Sequence, residues 1–232
     1  MAIVVYNSKN QKISLSDTDH IATGGEGSVY LKDNVVYKIY LPETLSRSSA
    51  IIQNLNFFKK INHPAIACPT DLVFNKAGEF QGVIMPHAKG EPICKAFTST
   101  WQKANNFTQP EVLQLVKSMQ EIVKVVHSHK ALIVDGNELN WLNDRCDATL
   151  IDTDSWQFDG HPATAIMPSI KDPDSTGFSE NTDWFSWAIV TFQLWTGIHP
   201  YKGSHPDYKP GQFLQRMKEK ISNLLILLLK AY

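Results

Sequence analysis

The stretch Ala22-Thr-Gly-Gly-Glu-Gly-Ser-Val29, followed after a Lys32-Asp-Asn34 turn by Val35-Val-Tyr-Lys-Ile-Tyr40, decides how the chain is read. Short runs of β-branched and aromatic residues around glycine and Asp-Asn turns predict antiparallel strands at Ser28–Leu31 and Val35–Tyr40. Upstream, Ile3–Tyr6 and Ile13–Leu15 read as strands of the same kind. Downstream the period changes: Ile51, Ile52, Leu55, Phe58 and Ile61 recur at helical spacing, so Leu45–Ile61 is expected to form one helix, broken by His63-Pro64. Strands return at Asp71–Phe74 and Gln81–Met85.

From residue 100 the period is helical. Thr108 with Glu111 forms a capping signature, and Val112, Leu115, Val116, Met119, Ile122, Val123 and Val126 mark one apolar face of a helix reaching about His127. Brief extended segments are expected at Leu132–Val134, Trp141-Leu142 and Thr149–Ile151. A further helix should begin near Thr182-Asp183 and stop at Gly197; apolar on every side, it should be buried all round. Leu214, Met217, Ile221, Leu224, Leu225 and Leu228 predict a last amphipathic helix, expected to fold back over the preceding buried helix and to leave a residual patch for a homodimer or a partner. The fold class is therefore α+β, with a sheet lobe over residues 1–86 and a mainly helical lobe over 87–232.

Composition narrows the function classes. The 232 residues are 43% apolar and 19% charged, which excludes disorder as the main state. With 22 Lys plus Arg against 23 Asp plus Glu, there is no cationic field to recruit nucleic acid or anionic lipid, so neither is expected as a partner. Cys68, Cys94 and Cys146 are odd in number and scattered, which fits idle thiols in a reducing compartment. The N-terminus lacks a basic leader, and Trp184–Trp195 and Leu224–Leu229 fall short of the roughly 18 apolar residues of a membrane span. A soluble cytoplasmic protein is expected.

Glycines in a strand-turn-strand can offer backbone N–H groups to phosphate oxygens. Lys38 lies inward among apolar neighbours on the next strand. Ile133-Val-Asp135 leads into a polar loop containing Asn140, and Thr149-Leu-Ile151 leads into Asp152-Thr-Asp154. Two short strands, each delivering an acid into a loop, can gather Asp135, Asn140 and Asp152 where magnesium-bound phosphates meet a hydroxyl.

These motifs, in this order, resemble the protein-kinase superfamily over roughly residues 20–203. The branch they look most like is the bacterial eukaryotic-type Ser/Thr kinases associated with helix-hairpin-helix and tellurite-resistance modules. The resemblance implies a bilobal fold shortened at its C-terminus, with ATP and Mg²⁺ (or Mn²⁺) bound between the lobes. It implies nucleotide contacts from Gly24, Gly25, Gly27 and Val29, with Lys38 on the α- and β-phosphates and Met85, His87 and Ala88 at the adenine hinge. Asp135 falls on the catalytic aspartate, Asn140 and Asp152 on the metal ligands, Asp183-Trp184 on the start of the central helix and His199-Pro-Tyr on the turn after it.

The departures are specific. Asn54 stands where the family's helix carries the glutamate paired with the strand lysine, leaving only Glu43, Gln53 or Asn54 nearby, so Lys38 is expected to bond an amide or be held by phosphates alone. Ile133-Val134 replaces His-Arg before the catalytic aspartate, Asn137 replaces a lysine, and Met167-Pro-Ser169 stands for Ala-Pro-Glu. Asp154 replaces the glycine of Asp-Phe-Gly, to stiffen the loop or add a carboxylate facing metal. The implied function is transfer of the γ-phosphoryl group to Ser or Thr of the protein itself or a partner. The alternatives are a nucleotide-binding pseudokinase that serves as an interaction module, and a small-molecule phosphotransferase.

Overall fold

The computed structural model describes residues 2–158, 161–163 and 165–222, with the side chains of all of them except 46–50 and 52–54. The chain is mixed α+β and divides into two compact units. One runs to Ala88 and also takes in Ile151–Asp154; the other comprises Lys89–Leu150 and the chain from Ser155 on. The short Ile151–Asp154 segment thus groups with the first unit, whereas the sequence reading placed it in the second lobe.

The first unit is built on a seven-stranded antiparallel sheet: β1 (Ile3–Asn7), β2 (Lys12–Leu15), β3 (His20–Thr23), β4 (Gly27–Lys32), β5 (Val35–Tyr40), β6 (Asp71–Phe74) and β7 (Phe80–Pro86), in the order β2-β1-β6-β7-β5-β4-β3. Strand alternation sorts the side chains. Val36, Tyr40, Leu72, Val83 and Met85 share one face with Ile51 and Leu55 of α1 (Ser48–Ile61), while Tyr30, Tyr37, Val73 and Ile84 pack on the other with Val5 and Leu15 of the curled edge. Strand β3 escaped the sequence reading because its four residues are all exposed, Ile21 included, so no alternation marks it. The single helix expected over Leu45–Ile61 is instead a tight 3₁₀ segment, Pro42–Arg47, followed by α1.

Two glycines set how closely β4 and β7 approach β5. A Cβ on Gly27 would come within 2.3 Å of the Ile39 carbonyl oxygen, and one on Gly82 within 2.0 Å of the Lys38 carbonyl oxygen. Gly24 and Gly25, in the turn before β4, face open space.

The second unit holds β8 (Glu91–Pro92), α2 (Ser99–Ala104), α3 (Gln109–Ser128), β9 (Ala131–Leu132), β10 (Trp141–Asp144), β11 (Asp147–Leu150), β12 (Gln157–Phe158), α4 (Glu180–Thr196) and α5 (Phe213–Lys218). β8 and β11 flank β10, and β12 pairs with β9, all antiparallel. The Glu111 carboxylate accepts the Thr108 N–H (2.8 Å) at the start of α3, which buries Val112, Leu115, Met119, Ile122, Val123 and Val126. Each such side chain contributes about 1.5–3 kcal/mol by leaving water.

Helix α4 starts at Glu180, after the N-cap Ser179, and ends on Gly197 in the left-handed region (φ 74°). It is not buried all round: Asn181, Ala188 and Trp195, at seven-residue spacing, form a narrow exposed stripe. Helix α5 has six residues, and Lys220 just after it takes φ 58°. That corrects the expected long amphipathic helix: Met217 is buried but Leu214 is exposed. Leu224, Leu225 and Leu228, on which the dimer expectation rested, lie outside the described residues.

Candidate functional site

In the first unit, β5 alternation puts Lys38 on the face shared by Val36 and Tyr40, where it is 6% exposed. Three carboxylates surround its ammonium: Asp152 Oδ1 at 2.7 Å, Asp154 Oδ2 at 2.8 Å and Glu26 Oε2 at 2.9 Å. Lys38 therefore bonds neither an amide nor phosphates alone, as the sequence reading expected, but an acid cluster. Glu43 is exposed in the Pro42–Arg47 segment, and the side chains of Gln53 and Asn54 lie outside those described.

The segment bearing Asp152 and Asp154 is pinned by the fully buried Thr153, whose hydroxyl donates to the Ala67 carbonyl (3.1 Å). Asp152 takes a left-handed backbone (φ 59°), a conformation Asp tolerates better than most residues. Glu26 comes from the glycine turn, its carbonyl accepting from Leu41 N (2.9 Å) and the Thr44 hydroxyl (2.8 Å).

Burial by itself would favour a neutral Lys38 amine; the charges of Asp154 and Asp152 outweigh it and hold the ammonium's pKa well above the ordinary lysine value. Asp154 is enclosed, yet the Lys38 charge, with hydrogen bonds from Lys38 and the Tyr40 hydroxyl, lowers its pKa. Desolvation, joined by repulsion from Asp154, raises the pKa of Asp152. One ammonium against three carboxylates leaves the cluster an excess of negative charge. One oxygen from each of Glu26, Asp152 and Asp154 lies within 4.8 Å of the others, an all-oxygen donor set suited to a hard divalent cation.

The remaining first-unit candidates are separately placed. Val29 packs against the core cluster containing Met85, and His87 Nδ1 lies 3.1 Å from Asn34 Oδ1. Ala88 is half-buried. Gly24 donates its N–H to the Gly27 carbonyl (2.9 Å), closing the turn.

In the second unit, Asp135 and Asn140 belong to one closed loop: Asn140 Nδ2 donates to the Asp135 carbonyl (2.9 Å), and Asp135 Oδ1 accepts the Met167 N–H (2.9 Å). Asn137 is buried and accepts the Leu139 N–H (2.8 Å), so it shapes the loop. Val134, immediately before Asp135, is held at φ 63°, a strained value for a β-branched residue. Asp183 at the start of α4 accepts the N–H groups of Ile133 (2.8 Å) and Val134 (2.9 Å), and its Oδ2 lies 2.9 Å from His127 Nε2. The buried Asp183 thus fixes the backbone that delivers Asp135.

The structure brings Lys38 and Asp152 together in one unit and Asp135 and Asn140 together in the other. Glu26 and Tyr40 were not singled out from sequence. The signal available for Tyr40 was its spacing, two residues beyond Lys38 on the same strand face. No protein-family model matches the chain, and no curated protein matches it.

Proposed function

We propose that the chain is an ATP- and Mg²⁺-dependent phosphotransferase of the protein-kinase type, acting on a Ser or Thr hydroxyl of itself or of a partner protein. The observation that carries the reading is the 2.7 Å pair between the buried strand lysine Lys38 and Asp152. It unites an acid and a lysine 114 positions apart in sequence, the combination needed to grip phosphates and their metal. The acid cluster around Lys38 is rich in oxygen donors and short of positive charge, which suits a divalent cation such as the one that accompanies ATP.

Bound Mg-ATP supplies the electrophilic γ-phosphorus. In this reading Lys38 would neutralise the α- and β-phosphates, Asp152 and Asn140 would be the residues to hold metal, and Asp135 would orient the acceptor hydroxyl and take its proton as the new P–O bond forms and ADP leaves. The nucleotide-binding pseudokinase reading has one observation in its favour: Glu26 of the glycine turn already fills one side of Lys38.

Incubating the protein with γ-labelled ATP and Mg²⁺, beside Lys38→Met and Asp135→Asn, tests the reading. Label on the wild-type protein or an added protein, lost in both variants while Asp135→Asn still binds ATP, supports transfer. ATP binding without transfer selects the pseudokinase. Transfer only to small-molecule hydroxyls selects the second alternative, and no ATP binding at millimolar concentration refutes all three.

A further inference from the structure

The three carboxylates around Lys38 are not equivalent. The Asp154 side chain is 1% exposed, against 26% for Glu26 and 30% for Asp152. Asp154 Oδ2 receives both the Lys38 ammonium and the Tyr40 hydroxyl. Tyr40 is itself immobilised: it is buried, stacks on Phe80 with ring centroids 5.8 Å apart, and holds its ring 5.5 Å from the Lys38 ammonium. Thr153 anchors the backbone between the two aspartates on the Ala67 carbonyl. Every element of this arrangement belongs to the first unit.

We infer that Asp154, locked by Tyr40, is the positioning residue for Lys38: it supplies the permanent counter-charge that keeps the ammonium aimed, while Glu26 and Asp152 form the solvent-facing side where phosphate and metal exchange. The inference rests on the nucleotide reading for what Lys38 is aimed at, but not for the positioning itself. Although Asp154 contributes an oxygen to the donor set described above, it is the least exposed of the three and its Oδ2 is already engaged by Lys38 and Tyr40, so a metal or phosphate arriving from solvent meets Glu26 and Asp152 first. That Oδ2 takes both the Lys38 ammonium and the Tyr40 hydroxyl, the pattern of a group that holds another group, while Asp154 Oδ1 is buried with no hydrogen-bond partner among the described residues. Since the anchor comes from β5 and the Asp152–Asp154 segment, the aim of Lys38 does not depend on a carboxylate from α1.

The test uses the full chain and two readouts. The first needs no nucleotide: the rate at which a water-soluble amine-acetylating reagent modifies Lys38, followed by mass spectrometry. Asp154→Asn keeps the shape and the Tyr40 contact but removes the charge, and should raise the Lys38 rate at least tenfold, with Glu26→Gln and Asp152→Asn changing it less. The second readout is ATP affinity by fluorescence titration in a double-mutant cycle. Asp154→Asn and Lys38→Met should weaken ATP to a similar extent, and the double variant should be no weaker than Lys38→Met alone. Additive losses, or unchanged labelling and affinity in a folded Asp154→Asn protein, overturn the inference. Should Asp154→Asn fail to fold, Tyr40→Phe is read instead, with a smaller rise in labelling expected and no rise overturning it. If the wild type binds no ATP yet the labelling pattern appears, the functional reading falls and the positioning stands.

Discussion

Lowering the pH from 7.5 to 5.0 should weaken the second unit through His199. The ring is 6% exposed; its Nε2 donates to the Ser169 carbonyl (2.9 Å) and its Nδ1 accepts the Tyr201 N–H (3.1 Å). That geometry fixes the neutral tautomer, because a proton on Nδ1 would face the Tyr201 N–H. Burial accordingly pushes the pKa down from 6.5 to about 4, against the pull of the Ser169 carbonyl. With the folded value below the unfolded one, the unfolded state binds more protons between the two, so stability falls as pH drops through 6.5 and levels off near 4. At about 1.4 kcal/mol per pKa unit, the loss is about 2 kcal/mol at pH 5 and about 3 kcal/mol at full effect. All six tryptophans (101, 141, 156, 184, 187 and 195) lie in the second unit, so their fluorescence during urea unfolding reports on it selectively. His199→Gln keeps the donor to Ser169 and removes the titration. It should be less stable than wild type at pH 7.5 yet lose about 2 kcal/mol less between pH 7.5 and 5.0. An equal acid loss in both proteins would refute the argument.

Asp183→Asn should cost about 2–4 kcal/mol, because one amide oxygen cannot serve both the Ile133 and Val134 N–H groups that the carboxylate now accepts; a midpoint within 0.5 kcal/mol of wild type (about the scatter of surface substitutions) would contradict it. Burial pushes the Cys68 thiol up to about 12. At pH 8 its thiolate is therefore roughly one part in 10⁴, and iodoacetamide should alkylate Cys94 and Cys146 well before it, with equal rates counting against the packing described. Thr108→Ala, which removes a hydroxyl from the capping box of α3, should cost about 1 kcal/mol in a thermal melt, and an unchanged melting temperature would show that the cap is dispensable.

Legibility followed periodicity. β5 and β6 could be read to the residue because dense β-branched and aromatic runs, apolar on both faces, contrast with the polar turns beside them, and the buried face of α3 was legible from its three- and four-residue spacing, Val116 alone being only half-buried. β3 carried no such contrast, and α5 stops where Lys220 turns the backbone left-handed, which an apolar repeat alone does not announce. At the candidate site, Lys38 and Asp152 could be placed by motif order. The roles of Glu26, Asp154 and Tyr40 could not, since a lysine's counter-charges depend on which loops come within 3 Å of it, and that is a property of tertiary packing rather than of spacing.

The glycines beside β5 decide what mutational data can say about the turn before β4. Gly27→Ala would force a methyl group into the Ile39 carbonyl, so the variant would lose activity in any screen whether or not a phosphate ever touches that turn. Gly82→Ala, far from any glycine motif, would be as severe and would look just as essential. Only Gly24 and Gly25, with room for a side chain, separate the two causes: an alanine there perturbs a ligand's approach while leaving the strands where they are. A tolerance map that scored all four positions alike would be measuring the spacing of the sheet.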